Sequence, residues 1–145
     1  MGRRGGFFFL LIALTSLLAS GEVEGAALDV AVTGLSSDEG DVHVALYDNP
    51  GAFPDSDGMR TETKVVPSGR RVSVTFANIA PGRYAIAVYH DENGNHDFDQ
   101  GLFGIPLEDY GFSSGAVAFF GPPSFNDAAF NVAEPMTRIE IDLGN

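Results

Sequence analysis

Short runs in which apolar and polar residues alternate constrain this chain to a fold built from β-strands. Such alternation sends one row of side chains into a core and the other towards solvent. Clusters of Gly, Pro, Asn, Asp and Ser separate the runs, and no segment shows a helical repeat of useful length. We therefore predict an all-β fold, an antiparallel β-sandwich of about seven strands. The clearest predicted strands cover residues 28–33, 42–47, 63–66, 71–76, 84–90 and 138–143.

The run at residues 84–90 is the most apolar of these. It is predicted to be a central strand, because apolar or small residues fill both of its faces. The segment 101–130 is rich in Gly, Pro and Phe and has little periodicity. Loops, short strands and one helical turn are expected there.

Residues 1–27 are predicted to be a secretory signal peptide. Arg3 and Arg4 supply its positive region, and the apolar run at 7–18 is too short to span a bilayer. Cleavage after Gly21 or after Ala27 would satisfy the small-residue rule, and the second is preferred because the first strand is predicted to begin at Leu28. One domain over residues 28–145 would remain, in the periplasm or outside a bacterial cell. An uncleaved membrane anchor is the alternative.

The formal net charge of −12 repels phosphate backbones and anionic lipid surfaces. We therefore expect neither nucleic acid nor a membrane surface as a partner once the signal is removed, and partner and oligomeric state stay unknown. The chain has no cysteine, so an exported fold must stand without disulfides, and thiol catalysis is excluded.

The stretch after the central strand carries an oxygen-bearing side chain at every second residue, a spacing that lets a loop surround Ca²⁺. The candidate metal ligands match positions 1, 3, 5, 7 and 9 of an EF-hand loop and are Asp91, Asn93, Asn95, Asp97 and Asp99. His96 stands where the pattern has Gly, and Leu102 where it has a bidentate Glu. We predict a weak Ca²⁺ site with a Kd of ~10⁻⁴–10⁻³ M, completed by Glu108 or Asp109, and no other cofactor. A polar turn without an ion is the alternative.

The three histidines invite a second metal hypothesis. His90 and His96 could join an Asp around zinc, although nothing in their spacing demands it. His43 shares a strand face with Asp41 and Tyr47, which indicates a solvated position. His90 lies at a strand end, where a half-buried histidine bonded to the backbone is expected.

Two patterns that resemble catalytic motifs fail in context, so no catalytic residue is predicted and the protein is expected not to be an enzyme. Residues 111–115 match G-x-S-x-G, but that nucleophile elbow needs a strand, a turn and a helix, followed by an acid and a histidine. Glu108 and Asp109 are adjacent, and adjacent strand residues point to opposite faces.

Aromatic residues in the second half of the chain suggest a different activity. Phe103, Tyr110, Phe112 and the loop at 119–125 could line a groove for an apolar or carbohydrate ligand. Core packing of the same rings is the alternative.

An ordered set of motifs resembles one family. The motifs are residues 84–95, 103–106, 110–113, 120–125 and 127–130, which read YAIAVYHDENGN, FGIP, YGFS, FGPPSF and DAAF. Together they resemble DUF2141, a group of exported bacterial proteins of unknown function. The resemblance implies a small Ig-like or transthyretin-like sandwich, in the style of carboxypeptidase regulatory domains, and it transfers no catalytic residues. Family members often have Gly where this chain has His96.

Overall fold

The computed structural model describes residues 25–144. Most of the predicted signal peptide, residues 1–24, lies outside the described residues, so its cleavage stays a prediction. Within residues 25–144, no helix has the length and apolar character needed to cross a bilayer.

Two β-sheets dominate the described part of the chain, which confirms the predicted all-β sandwich. Sheet one has the strand order β4-β1-β8, and sheet two has the order β3-β2-β5-β6, with β7 paired to the start of β5. The strands are β1 (Ala26–Thr33), β2 (Asp41–Tyr47), β3 (Thr61–Val65), β4 (Val72–Ile79), β5 (Gly82–Asp91), β6 (Tyr110–Phe112), β7 (Phe130–Val132) and β8 (Met136–Asp142). A single turn of helix, α1 (Phe125–Ala128), precedes β7.

The core lies between the two sheets and is filled by the alternation that the sequence shows. Val42, Val44 and Leu46 of β2 point into it, as predicted. Val72 and Val74 of β4 face them from sheet one. Full burial of such a side chain is worth about 1.5–3 kcal/mol. Because the chain has no cysteine, this packing rather than a cross-link holds the sandwich together.

One strand pair departs from the antiparallel arrangement that the pattern predicted. β1 and β8 are parallel, with a register that runs from Ala27 opposite Met136 to Thr33 opposite Asp142. A parallel pair needs a long crossover, and here almost the whole domain separates the two strands. The spacing of strands along the sequence predicts only pairs of adjacent strands joined by short turns, so it could not predict the pairing of β1 with β8.

The outer face of sheet two is also covered, so β2 is buried on both faces. Tyr47 and Ala85 pack there against Phe125 of α1, and the ring of Phe53 contacts Tyr47 edge to face at 5.1 Å. The prediction of a solvated face for His43 is wrong, because its side chain is only 1% exposed. The loops that follow β2 and β5 fold back over this face and cover it. The alternation within a strand carries no information about such loops, so it could not predict that His43 is buried.

The segment 101–130 contains short strands and a turn of α-helix, as predicted, together with 3₁₀ turns at Leu102–Gly104 and Ser113–Gly115. A capping box starts α1: Ser124 Oγ accepts a hydrogen bond from the Asp127 N–H, and the Asp127 carboxylate accepts one from the Ser124 N–H, both at 3.3 Å. This arrangement satisfies N–H groups that a helix start otherwise leaves without partners.

Candidate functional site

The register of β2 against β5 brings two polar side chains together on the outer face of sheet two. His43 lies opposite Tyr89, and Asp91 follows Tyr89 by two residues. Side chains two residues apart share a face, so Asp91 is a diagonal neighbour of His43. His43 Nε2 lies 3.7 Å from Asp91 Oδ2, and both side chains are buried.

The buried carboxylate of Asp91 organises the acidic loop. Its Oδ1 accepts hydrogen bonds from the N–H groups of Gly94 at 2.8 Å and Asn95 at 3.2 Å, and its Oδ2 accepts one from the His96 N–H at 2.8 Å. Burial acts to raise the pKa of Asp91, but these three backbone hydrogen bonds hold it below its usual value. Asp91 is therefore a carboxylate that the loop keeps ionised.

The remaining candidate calcium ligands bond to the loop itself. Asn93 Oδ1 accepts from the Asn95 N–H, and Asn95 Oδ1 accepts from the Asp97 N–H, both at 2.9 Å. The side-chain amides of Asn93 and Asn95 converge on the Asp99 carboxylate, at 2.6 Å and 3.0 Å. The structure thus brings Asn93, Asn95 and Asp99 together and holds Asp97 through its backbone. These hydrogen bonds are those of a polar turn, and Ca²⁺ binding stays a prediction.

One of the two carboxylates expected to complete the shell reaches the acidic loop. Glu108 Oε2 accepts a hydrogen bond from the Asp99 N–H at 3.1 Å. Burial raises the pKa of Glu108, and the charges of Asp91 and Asp99 add to the rise against the lowering effect of that hydrogen bond. Asp109 instead accepts the N–H of Ser36 at 3.0 Å and so ties down the loop between β1 and β2.

His96 takes the backbone conformation that the EF-hand pattern reserves for Gly, with φ of +66°. Its Nδ1 lies 3.6 Å from Asp91 Oδ2. The side-chain ligand atoms of His43, Asp91 and His96 all lie within 4.8 Å of one another. Sequence reasoning paired His96 with His90 and missed His43. Only the pairing of β2 with β5 could have identified it.

His90 lies on the core side of β5, away from this group. Its Nε2 contacts the carbonyl oxygen of Glu39 at 2.7 Å. The predicted histidine bonded to backbone at a strand end is therefore confirmed, although the ring is fully buried rather than half-buried.

The G-x-S-x-G match is structural. Ser113 is buried, and its hydroxyl accepts the Ile86 N–H at 2.8 Å and donates to the Ala128 carbonyl at 2.5 Å. Ser114 donates to the same carbonyl and to that of Ala129. Neither hydroxyl is presented by the strand–turn–helix that a nucleophile elbow requires.

A cleft of about 1050 Å³ opens on the outer face of sheet two beside His43 and His96. Four half-buried rings form an aromatic row along it, with successive centroids 5.5, 5.9 and 5.9 Å apart. The rings of this aromatic row are Tyr89, Phe98, Tyr110 and Phe112. Phe103 and Phe120 also line the cleft, from two separate loops, and both are 100% exposed.

The predicted aromatic groove is therefore brought together in part. Phe103, Tyr110, Phe112 and Phe120 line the cleft, whereas Phe125 is buried in the packing around α1. The exposed apolar side chains on the two rim loops are Leu102, Phe103, Ile105, Leu107, Val117, Phe119 and Phe120.

A sequence model of the family described as "Uncharacterized protein conserved in bacteria (DUF2141)" matches residues 30–140. No curated protein and no solved structure matches the chain.

Proposed function

This chain belongs to the DUF2141 family, uncharacterized proteins conserved in bacteria, and we propose that it is an exported, non-enzymatic binding module for a small apolar ligand. The observation that carries the proposal is the cleft on sheet two, which has an aromatic wall and fully exposed rings at its rim. Clefts of ~300–1,000 Å³ with mostly apolar walls are typical of small-molecule sites.

The backbone at the rim supports a functional role for its rings. Phe103 has φ of +62° and Phe120 has φ of +55°, the left-handed region that bulky side chains avoid. Such a conformation costs of order 1–3 kcal/mol and concentrates at functional sites. Two wholly exposed Phe side chains contribute nothing to the core, so stability does not explain them. A ligand that covers both rings explains why they are exposed.

We infer a non-enzymatic role because the polar side chains that resemble catalytic groups form hydrogen bonds that hold the fold together. The Ser113 hydroxyl satisfies backbone groups of β5 and α1. Glu108 and Asp109 accept N–H groups of Asp99 and Ser36 and so fix loops. Export rests on the predicted signal peptide.

A neutral apolar dye such as N-phenyl-1-naphthylamine tests the ligand class, because its fluorescence rises in an apolar site. We expect saturable binding to the parent protein and a Kd weakened at least about tenfold, or roughly 1.4 kcal/mol, in a Phe103→Gly/Phe120→Gly variant. Gly accepts the positive φ at both positions, so the variant should not lose stability. Val66→Ser is the control, because Val66 is 69% exposed and does not line the cleft.

A carbohydrate is the second candidate, since Glu62, Lys64 and the Tyr89 hydroxyl give the same cleft polar groups. If oligosaccharides bind and the dye does not, the ligand is a carbohydrate rather than an apolar molecule. Saturation by neither probe, or equal dye affinity in the double Gly variant, would overturn the proposal.

A further inference from the structure

We propose that His43 Nε2, Asp91 Oδ2 and His96 Nδ1 form a binding site for a divalent transition metal of the zinc class. The site is independent of the cleft ligand proposed above, although His43 and His96 both border the cleft. It also differs from the predicted Ca²⁺ site, with which it shares only Asp91.

The first observation is a buried nitrogen that lacks a hydrogen-bond partner. His43 is 1% exposed, and its Nε2 has no partner among the described residues. The other ring nitrogen, Nδ1, lies 3.0 Å from both Glu62 Oε1 and the Tyr89 hydroxyl. A proton on Nδ1 can be donated to the Glu62 carboxylate, which leaves a lone pair on Nε2. Stacking on Tyr89, with ring centroids 4.3 Å apart, holds the imidazole in this orientation.

The second observation is the unused bonding capacity of Asp91. An ionised carboxylate offers about four lone-pair positions. Oδ1 accepts two loop N–H groups and Oδ2 accepts one, the N–H of His96. The remaining position is on Oδ2, the atom that lies 3.7 Å from His43 Nε2 and 3.6 Å from His96 Nδ1. Two buried acceptors, Nε2 and Oδ2, thus face each other with no donor between them, and a cation satisfies both.

The third ligand gives the site access to solvent. The His96 side chain is 57% exposed, and its ring centroid lies 6.0 Å from that of His43. An ion can therefore enter past His96, whereas His43 and Asp91 are fixed in place by burial and hydrogen bonds. Ligands that are already held in place lower the ordering cost of binding.

The distances suit a four-coordinate ion once the His96 ring moves towards the other two ligands. Ligand atoms at ~2.0–2.1 Å from a tetrahedral ion are ~3.3 Å apart. The two distances to Asp91 Oδ2 exceed this by a few tenths of an ångström, and the His43 Nε2–His96 Nδ1 distance lies within 4.8 Å. Movement of the exposed His96 ring closes the remaining gaps. Three protein ligands leave the fourth position for water or another small ligand.

The donor set favours zinc over calcium. Imidazole nitrogens suit Zn²⁺ and similar transition ions, whereas Ca²⁺ takes oxygen ligands in larger numbers. The Glu62–His43 contact is the carboxylate–histidine pair that usually supports a metal-bound imidazole from behind.

Zinc binding can be measured by calorimetry on untagged exported protein that has first been treated with a chelator. We expect one Zn²⁺ per chain in Ca²⁺-free buffer, which keeps Asp91, a ligand shared with the predicted Ca²⁺ site, available. His96→Gly removes one imidazole at a position where Gly fits the backbone, and it should weaken Zn²⁺ binding by more than the ~10–100-fold that loss of an outer-shell partner costs. Asp97→Asn is the matched control in the same loop and should bind Zn²⁺ like the parent.

Two further measurements separate a metal site from a purely structural cluster. Glu62→Gln should weaken Zn²⁺ binding ~10–100-fold through the outer shell. On the unmodified protein, nitrogen NMR of the three imidazoles should show Zn²⁺-induced shifts at His43 Nε2 and His96 Nδ1 but not at His90. Stoichiometric binding that His96→Gly leaves unchanged, shifts confined to His90, or the absence of any saturable Zn²⁺ binding would each overturn the proposal.

Discussion

Ser113 Oγ accepts a hydrogen bond from the Ile86 N–H at 2.8 Å and so continues the β5–β6 ladder beyond its last residue pair. The same hydroxyl donates to the Ala128 carbonyl and thereby joins the central strand to α1. One buried side chain thus takes the place of a strand residue at the point where β6 ends.

Ser113→Ala should lower the free energy of unfolding by about 1–3 kcal/mol, because it leaves the buried N–H of Ile86 and the carbonyl of Ala128 without this partner. Urea denaturation measures the change. Ser73→Ala, at an exposed position on β4, is the control and should stay within about 0.5 kcal/mol of the parent. Equal stability of the two variants would contradict the structural role.

Gly40→Ala should destabilise the protein strongly. Gly40 has φ of +65°, and a Cβ there would collide with the Asp91 carbonyl oxygen. Gly69→Ala separates the two effects, since Gly69 has φ of +63° but open space around it. We expect about 1–2 kcal/mol for Gly69→Ala from the backbone alone and a further 1–3 kcal/mol for Gly40→Ala from overpacking. Comparable losses in thermal or urea unfolding would show that the loop yields at Gly40.

Calcium should raise the melting temperature if the acidic loop binds it as predicted. At ten times a Kd in the millimolar range, mass action adds about 1.4 kcal/mol to stability. Thermal melts with Ca²⁺ and with chelator test this, and Asp99→Asn should abolish the difference. Identical midpoints would leave the loop as a polar turn.

Burial raises the pKa of Tyr47 to about 12, with smaller contributions from Glu62 and Asp55. The unfolded tyrosine, with a pKa of ~10, loses its proton first, so between about pH 10 and 12 the folded state binds more protons. The contribution of Tyr47 is therefore fully present below pH ~10 and declines as the pH rises towards 12. Urea denaturation across this range should show a steeper fall for the parent than for Tyr47→Phe, and parallel slopes would contradict the assignment.

The mature chain should begin at Glu22 rather than Leu28. β1 starts at Ala26, which is buried and lies opposite Ile79, and Ala27 pairs with Met136. Cleavage after Ala27 would remove Ala26 from the sheet, whereas cleavage after Gly21 keeps it. Intact-mass measurement of the exported protein distinguishes the two termini, and a mass that starts at Leu28 would refute this prediction.

The loop after β5 shows how far local sequence reaches into the site. The side chains of Asp91 and Asn93 accept N–H groups two to five residues further along the chain, which is the bonding that a polar turn with this spacing predicts. The tolerance of His for positive φ also held at His96. These are interactions within a few residues, which composition and spacing can specify.

Alternation along the chain predicts β1 to β5 and β8 together with their core-facing side chains, because a period of two places every second residue on the same face. The parallel pairing of β1 with β8 and the contact between His43 and Asp91 are visible only in the folded chain. Both depend on register between distant strands and on loops that fold over an outer face. No local sequence pattern encodes the register or the loop packing, because the free energy gained by burial depends on which distant segments meet.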